Sequence, residues 1–514
     1  MDEYMQMSAV ADSPVHSSSS DDFAAFLDTE LGASSPDSSP VKEAENEDEL
    51  ESVRVFILRC SVEYLSVWFF SLIASFGGLV PRVHLRLFGF DKSFQEGKND
   101  FRVHASGVFM LQISLIKRRK IESIEETEGS TSEGIIKQNL EASVDVDVCA
   151  HPGSFGSMCI RCGQKLDGES GVTFGYIHKG LRLHDEEISR LRNTDMKSLL
   201  CRRKLYFVLD LDHTLLNSTH LSHLSPEESH LFNRTDSLQD VSKGSLFKLE
   251  HMHMMTKLRP FVRSFLKEAS EMFEMYIYTM GDRPYALEMA KLLDPRGEYF
   301  NAKVISRDDG TQKHQKGLDV VLGQESAVLI LDDTEHAWMK HKDNLILMER
   351  YHFFASSCRQ FGFNCKSLAE LGNDEDETDG ALAKILKVLK KVHCKFFDKR
   401  QEDLVDRDVR QSIHLFKVLS SVRSEVLGGC VIVFSRIFHG ALPSLRKMAE
   451  QLGATCLTEL DPSVTHVVGT DVGTEKSRWA VKENKFLVHP RWIEAANFFW
   501  EKQPEENFII KTKQ

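Results

Sequence analysis

KLYFVLDLDHTLLNS (Lys204–Ser218) is the stretch from which the fold of this chain is read. Leu205 to Leu209 form an apolar run with the length and the β-branched and aromatic content of a buried strand, and the run stops at two aspartates one residue apart. Side chains alternate along a strand, so Asp210 and Asp212 leave the end of the sheet on the same side, with Thr214 beside them as the chain turns away. Two carboxylates aimed at one point repel each other. A hard divalent cation relieves that repulsion, and Mg²⁺ is the usual ion because one or two carboxylates plus a phosphate complete its oxygen shell. One aspartate can then attack phosphorus while the other moves the proton of the leaving group. An isolated Asp-x-Asp is more often an acidic surface loop, so the decision falls to the rest of the chain.

The longer form DLDHTLLNS (Asp210–Ser218), directly after an apolar strand, resembles the first motif of the haloacid dehalogenase superfamily of aspartate-nucleophile phosphotransferases. Within it, the branch that dephosphorylates the C-terminal repeats of RNA polymerase II is the most similar. The resemblance implies an α/β fold with a Rossmann-like parallel sheet and an insertion. The later motifs agree with it. Thr219–Lys257 is polar, His-rich and without clear periodicity, and reads as the insertion or cap; its histidines are assigned no metal. KLRPFVRSFLKEASEMF (Lys257–Phe273) has Pro260 at a helix start and apolar spacing at Phe261, Phe265, Leu266 and Phe273. In MYIYTMGDRPYALEMAKLLD a second strand ends at Thr279, whose hydroxyl suits a phosphate oxygen, and a Gly-Asp turn opens another helix.

VISRDDGTQKHQKGLDVVLG offers Lys316 to neutralise the phosphoryl group and hold the nucleophile, with Lys313 as the competing lysine and the spacing to the next strand favouring Lys316. Arg307 is the candidate for bidentate phosphate binding. AVLILDDTEHAW repeats the opening architecture: an apolar strand from Ala327 to Leu331 that ends in Asp332 and Asp333. Strand ends in an open parallel sheet converge on one crevice, so four carboxylates can share one ion. By resemblance, Asp210, the backbone carbonyl of Asp212, and Asp333 bind Mg²⁺, Asp332 positions Lys316, and Thr214 contacts the substrate phosphate. Thr334 stands where the family pattern usually has Arg, while Trp338 keeps the family's aromatic residue.

The chain has 514 residues, 41% of them apolar, which allows two or three domains. Residues 1–52 are acidic and Ser-rich and read as disordered. Residues 53–116 contain an uncharged run, Tyr64 to Val80, near the lower limit for crossing a bilayer. Arg59 and Glu63 beside it and the lack of a second span disfavour a membrane anchor, and a retained intron explains an insert atypical of the family. Residues 117–199 read as a linker that carries the basic cluster KRRK, Lys117–Lys120, and CAHPGSFGSMCIRCG. Two readings stand for Cys149, His151, Cys159 and Cys162: a Zn²⁺ knuckle, or four reduced side chains without a ligand. Residues 200–372 are the expected phosphatase domain and 373–420 an acidic and helical linker.

Residues 421–514 resemble a BRCT domain, with strand-like runs CVIVFS, THVVGT and KFLVHP, Gly453-Ala454 after a helix, and a late Trp492. In that reading Ser435 and Lys476 fall at the phosphate-binding positions; the alternative is a BRCT fold used only for packing or unphosphorylated contacts. Cysteines without a dense, regular framework indicate a reducing compartment. A net charge of −13 argues against general nucleic-acid binding. The whole order resembles the TFIIF-associating polymerase phosphatases, above all their plant members. It implies a Mg²⁺-dependent protein-serine phosphatase of the nucleus that acts on the RNA polymerase II largest-subunit repeats, with TFIIF and phosphoproteins as further partners. The rival readings are an inactive phosphoprotein-binding adaptor and a small-molecule phosphatase of the same superfamily.

Overall fold

The structure, a computed structural model, describes residues 149–403 except 169 and 364, residues 415–510, and three short strands that precede them. Those strands, β1 (Arg54–Phe56), β2 (Val83–Arg86) and β3 (Met110–Ile113), pair antiparallel in the order β1-β3-β2. The acidic Ser-rich start, the apolar run and the basic cluster lie outside the described residues. Among the described residues, no helix is long and apolar enough to cross a membrane.

From Cys149 onward the chain builds a four-stranded antiparallel sheet, β4 (Gly153–Phe155), β5 (Met158–Cys159), β6 (Val172–Thr173) and β7 (Leu181–Leu183), and then helix α1 (Asp185–Cys201). Asp185, Glu186 and Glu187 fill the first turn of α1, where the helix dipole favours negative charge. Its Ile188, Met196 and Leu199 are buried in the main core. The stretch read as a linker up to residue 199 is therefore folded from Cys149 on, because its apolar residues have the sheet's flank to cover.

The main sheet is parallel, in the order β13-β12-β8-β14-β15: β8 (Leu205–Leu209), β12 (Phe273–Tyr278), β13 (Val304–Ile305), β14 (Val328–Asp332) and β15 (Leu345–Leu347). Every residue of β8 and β14 is buried, as expected for strands covered on both faces. Leu209 lies in register with Ile277 on one side and Leu331 on the other. Strand order reverses at β8, so the crevice of this open sheet opens at its carboxyl end. The insertion after β8 is a second, antiparallel sheet of β9 (Leu216–His220), β10 (Leu246–Leu249) and β11 (Met254–Leu258). Helix α2 (Val262–Met272) buries Phe265, Leu266 and Ala269, and α3 (Arg283–Leu293) begins at Asp282, whose carboxylate accepts from Tyr285 N–H. A short helix, α4 (Ala355–Gln360), follows β15.

The described parts of the stretch 373–420, residues 373–403 and 415–420, pack on the core as well. Leu382, Ile385, Leu389, Val392 and Phe396 of α5 (Ala381–Asp403) follow helical spacing and lie in the same core as β8. Helix α6 (Leu415–Arg423) buries Leu415, Val418, Leu419 and Val422 there too. Even the acidic run before α5 is docked: Glu375 forms a bidentate pair with the buried Arg259.

The C-terminal residues form a four-stranded parallel sheet in the order β17-β16-β18-β19, from β16 (Val431–Ser435), β17 (Thr455–Leu457), β18 (His466–Gly469) and β19 (Phe486–Val488). Helices α7 (Leu442–Gln451), α8 (Glu475–Lys482) and α9 (Arg491–Phe499) flank it, around a core that includes Ile432, Leu452, Val468, Trp492 and Ile493. The end of α9 reaches further: Phe499 and Trp500 belong to the main core, and Lys384 of α5 lies over the Phe499 ring at 4.6 Å.

Candidate active site

Three adjacent strand ends carry the candidate residues. Asp210 N–H donates to Leu331 C=O at 3.0 Å, and Thr279 N–H to Ile305 C=O at 3.0 Å, so the residues just past β8 and β12 are fixed by the sheet itself. After Asp212 the chain must reverse at once to start β9. His213 takes the left-handed conformation (φ 61°), and Leu215 N–H returns to Leu211 C=O at 2.9 Å. A non-glycine residue held there is strained, and the surroundings must enforce it. They do so through Arg259, which is 1% exposed and whose Nη1 donates to the carbonyls of Thr214 (3.1 Å) and Glu349 (3.0 Å) while Glu375 holds its other edge.

The charged centre is a chain of ion pairs. Lys316, 5% exposed, places Nζ 2.5 Å from Asp210 Oδ1 and 2.6 Å from Asp332 Oδ2. Trp338 Nε1 donates to the same Asp332 oxygen at 2.8 Å, and Thr334 N–H to the other at 2.8 Å, so Asp332 is committed to holding Lys316. Lys313, the competing candidate, is exposed. Burial alone would lower the Lys316 pKa, but Asp210 and Asp332 together raise it, and the ammonium stays charged. Burial, then Asp332, Asp333 and Asp212, push Asp210 well above the ordinary carboxylate range against the pull of Lys316.

Asp212 lies beside this chain. Tyr285 donates to Oδ1, and Thr279 Oγ1 donates to Oδ2 at 3.3 Å while accepting from Gly281 N–H at 3.0 Å. The Thr279 hydroxyl, expected on a phosphate, is thus turned to the neighbouring acid. Burial raises the Asp212 pKa although the Tyr285 bond works against it. Gly281 is required here: a Cβ on it would meet the Tyr285 ring at 2.5 Å.

Asp333 completes the cluster. Arg350 Nε donates to its Oδ2 at 2.5 Å, and Arg350 Nη2 lies 3.3 Å from Thr334 Oγ1 with the guanidinium over the Phe361 ring. Burial would raise the Asp333 pKa, but Arg350 outweighs it and holds the group low. Oxygens of Asp210, Asp332 and Asp333 all lie within 4.8 Å of one another. Four acidic side chains face two cations, Lys316 and Arg350, and an all-oxygen donor set suits Mg²⁺. Thr214 Oγ1 is buried without a hydrogen-bond partner among the described residues, an acceptor or donor in reserve at the same turn. Arg307 joins the second strand end through its backbone, with its N–H on Gly281 C=O at 3.0 Å.

The remaining candidates sit elsewhere. Cys149, His151, Cys159 and Cys162 come together in the small N-terminal sheet. Ser435 and Lys476 are neighbours at the end of β16, yet Ser435 Oγ bonds Thr474 Oγ1 at 2.7 Å and Lys476 Nζ bonds Thr458 C=O at 2.7 Å. Arg259, Tyr285 and Arg350 were not singled out from the sequence. Tyr285 and Arg350 have no motif spacing to betray them. Arg259, directly before Pro260 in KLRPF, is a charge amid apolar residues and was the one readable signal.

Residues 205–400 match the family model of NLI interacting factor-like phosphatases, and residues 422–496 that of the BRCA1 C Terminus (BRCT) domain. RNA polymerase II C-terminal domain phosphatase-like 4 of Arabidopsis thaliana is 62% identical over 403 residues, which cover 77% of this chain and 87% of that protein. The chain belongs to the RNA polymerase II C-terminal domain phosphatase-like family. Phosphatase-like 3 of the same plant is 42% identical over 340 residues, 63% of this chain but 26% of that longer relative. The structure of Fcp1, an essential RNA polymerase II CTD phosphatase, superimposes with a TM-score of 0.50 at 23% identity and covers 63% of this chain and 100% of its own. At that identity the likeness shows a shared fold alone.

Proposed function

We propose that the crevice at the ends of β8, β12 and β14 hydrolyses phosphoserine in the C-terminal heptad repeats of RNA polymerase II, in the nucleus, with Asp210 as the nucleophile. The observation that carries this reading is the buried Asp210–Lys316–Asp332 chain at the mouth of a parallel sheet. A carboxylate held by one lysine, itself held by a second carboxylate, is aimed in one direction, and the lysine's charge favours the ionised form that burial opposes. Asp210 attacks phosphorus and the bond to the serine oxygen breaks. Asp212, whose pKa burial raises, gives its proton to that oxygen. The resulting carboxylate then takes a proton from water, which attacks the aspartyl-phosphate and frees Asp210.

Tyr285 and Thr279 fix Asp212 through one oxygen each. Arg307 and the Thr214 hydroxyl bind phosphate oxygens. Asp210, the Asp212 carbonyl and Asp333 would hold Mg²⁺, which supplies positive charge to the transferring phosphoryl group when bound. Arg350, bonded to Asp333 and Thr334, supplies the guanidinium that the residue after the acid pair does not. The BRCT domain, with Ser435 and Lys476 engaged internally, serves by packing and unphosphorylated contacts. Hydrolysis of phosphorylated heptad peptides, measured beside sugar phosphates with and without Mg²⁺, tests the reading. Equal or better turnover of the sugar phosphates would reject it.

A further inference from the structure

The small sheet β4–β7 lacks what usually holds a folded unit together. Its large apolar side chains Phe155, Met158 and Ile160 are 37%, 54% and 43% exposed, and buried apolar contribution comes mainly from Cys159 and Leu183. Units with so little core are ordinarily fastened by disulfides or a metal. All of the sheet's thiols are free.

They are nevertheless gathered. Cys149 Sγ lies 3.9 Å from Cys159 Sγ, Cys162 Sγ lies 3.4 Å from His151 Nδ1, and all four ligand atoms are within 4.8 Å of one another. Zinc binds thiolate at about 2.3 Å and imidazole at about 2.0–2.1 Å in a tetrahedron, whose edges are then about 3.8 Å between sulfurs and about 3.5 Å between sulfur and nitrogen. The two contacts match those edges. The turn between the last two cysteines is also that of a knuckle: Cys159 N–H donates to Gln164 C=O (2.9 Å), Gly163 N–H to Cys159 C=O (3.0 Å), and Arg161 N–H to Cys159 Sγ at 3.3 Å. Amides aimed at sulfur stabilise thiolate and orient it toward a metal.

We propose that Cys149, His151 through Nδ1, Cys159 and Cys162 bind one structural Zn²⁺, and that this zinc braces the loop that carries Arg307 and Lys316. The brace is the segment from β6 to α1. Tyr176 Oη donates to Val320 C=O at 2.9 Å, and Arg283 Nη2 reaches Tyr176 C=O at 3.4 Å. Arg192 donates to the carbonyls of Leu318, Asp319 and Val321. With its start pinned at β4 and β5 by the metal, this segment closes over the residues just past Lys316. Four protein ligands leave no open position, so the site is structural, unlike the carboxylate cluster.

The test uses the full chain, purified without chelator. Elemental analysis should find about one zinc per chain, and replacement by Co²⁺ should give the intense visible bands and the sulfur charge-transfer absorption of a tetrahedral thiolate site. Cys162→Ser, at an exposed position, should lose the metal and the bands, and Cys201→Ser, exposed and outside the cluster, should keep both. Chelation should then speed hydrogen exchange at 307–322 at least tenfold while residues 431–469 stay unchanged. Absence of zinc in the wild type, or retention by Cys162→Ser, overturns the site. Zinc loss that leaves 307–322 protected, or that exposes the whole chain uniformly, overturns the brace.

Discussion

The crevice and the BRCT domain each place a hydroxyl and a lysine at the end of a parallel strand, and they use them differently. Lys316 is fixed between two carboxylates, and Thr214 beside it keeps an unpartnered hydroxyl. Lys476 and Ser435 instead complete the BRCT domain's own hydrogen bonds, to Thr458 C=O and Thr474 Oγ1. On the reading proposed above, residue types at a strand end do not by themselves make a phosphate site. What the neighbours leave unsatisfied does, because a buried group without a partner costs on the order of 1–3 kcal/mol until a ligand supplies one.

The crevice and the BRCT domain should differ most at the nucleophile. Asp210→Asn keeps the side chain's shape and should lower kcat on the order of 10⁴-fold or more, with the circular dichroism spectrum unchanged. Turnover within a factor of ten of wild type would remove the crevice from the chemistry. Next come the two lysines, changed alike. Lys316→Met strands Asp210 and Asp332 without their shared cation, so activity should fall about 10³-fold and stability by about 3–5 kcal/mol in urea titration.

The wall behind the crevice should make stability depend on pH. Burial, and then the charge of Glu375, push Glu349 up to about 7 despite Arg259. The folded state binds that proton more tightly than the unfolded chain, so this contribution is present at low pH and is lost as pH rises from the ordinary glutamate range through about 7. Glu349→Gln should therefore stabilise the protein by roughly 1–3 kcal/mol at pH 8 and change little at pH 5, by thermal melts. The smallest effect is expected on the other side of the comparison: Lys476→Met should alter affinity for a phosphorylated repeat peptide by less than about threefold, since an exposed or internally bonded lysine contributes under about 1 kcal/mol. A tenfold loss by fluorescence polarisation would give the BRCT domain a phosphate site after all.

How much of this was legible follows from range. β8, β12 and β14 could be read because each is an apolar run ending abruptly in a charged or hydroxyl residue, a signal contained in a few neighbouring positions. Asp210, Lys316 and Asp332 were legible as residue types with motif spacing. The helical spacing of α5 was visible too, but a stripe of leucines and valines does not say which surface it covers, and so a core helix was read as part of a linker. Arg350 and Tyr285 act across 17 and 73 residues of sequence respectively, on Asp333 and Asp212, and only the folded sheet brings them there.

The proposed hydrolysis turns on a covalent bond to Asp210. Rapid acid quench of the wild-type protein during turnover of a phosphorylated heptad peptide, followed by peptide mapping, should find phosphate on the fragment that contains Asp210, labile to hydroxylamine and absent in Asp210→Asn. Full turnover with no protein-bound phosphate at any quench time, or phosphate on Asp333 instead, would contradict it.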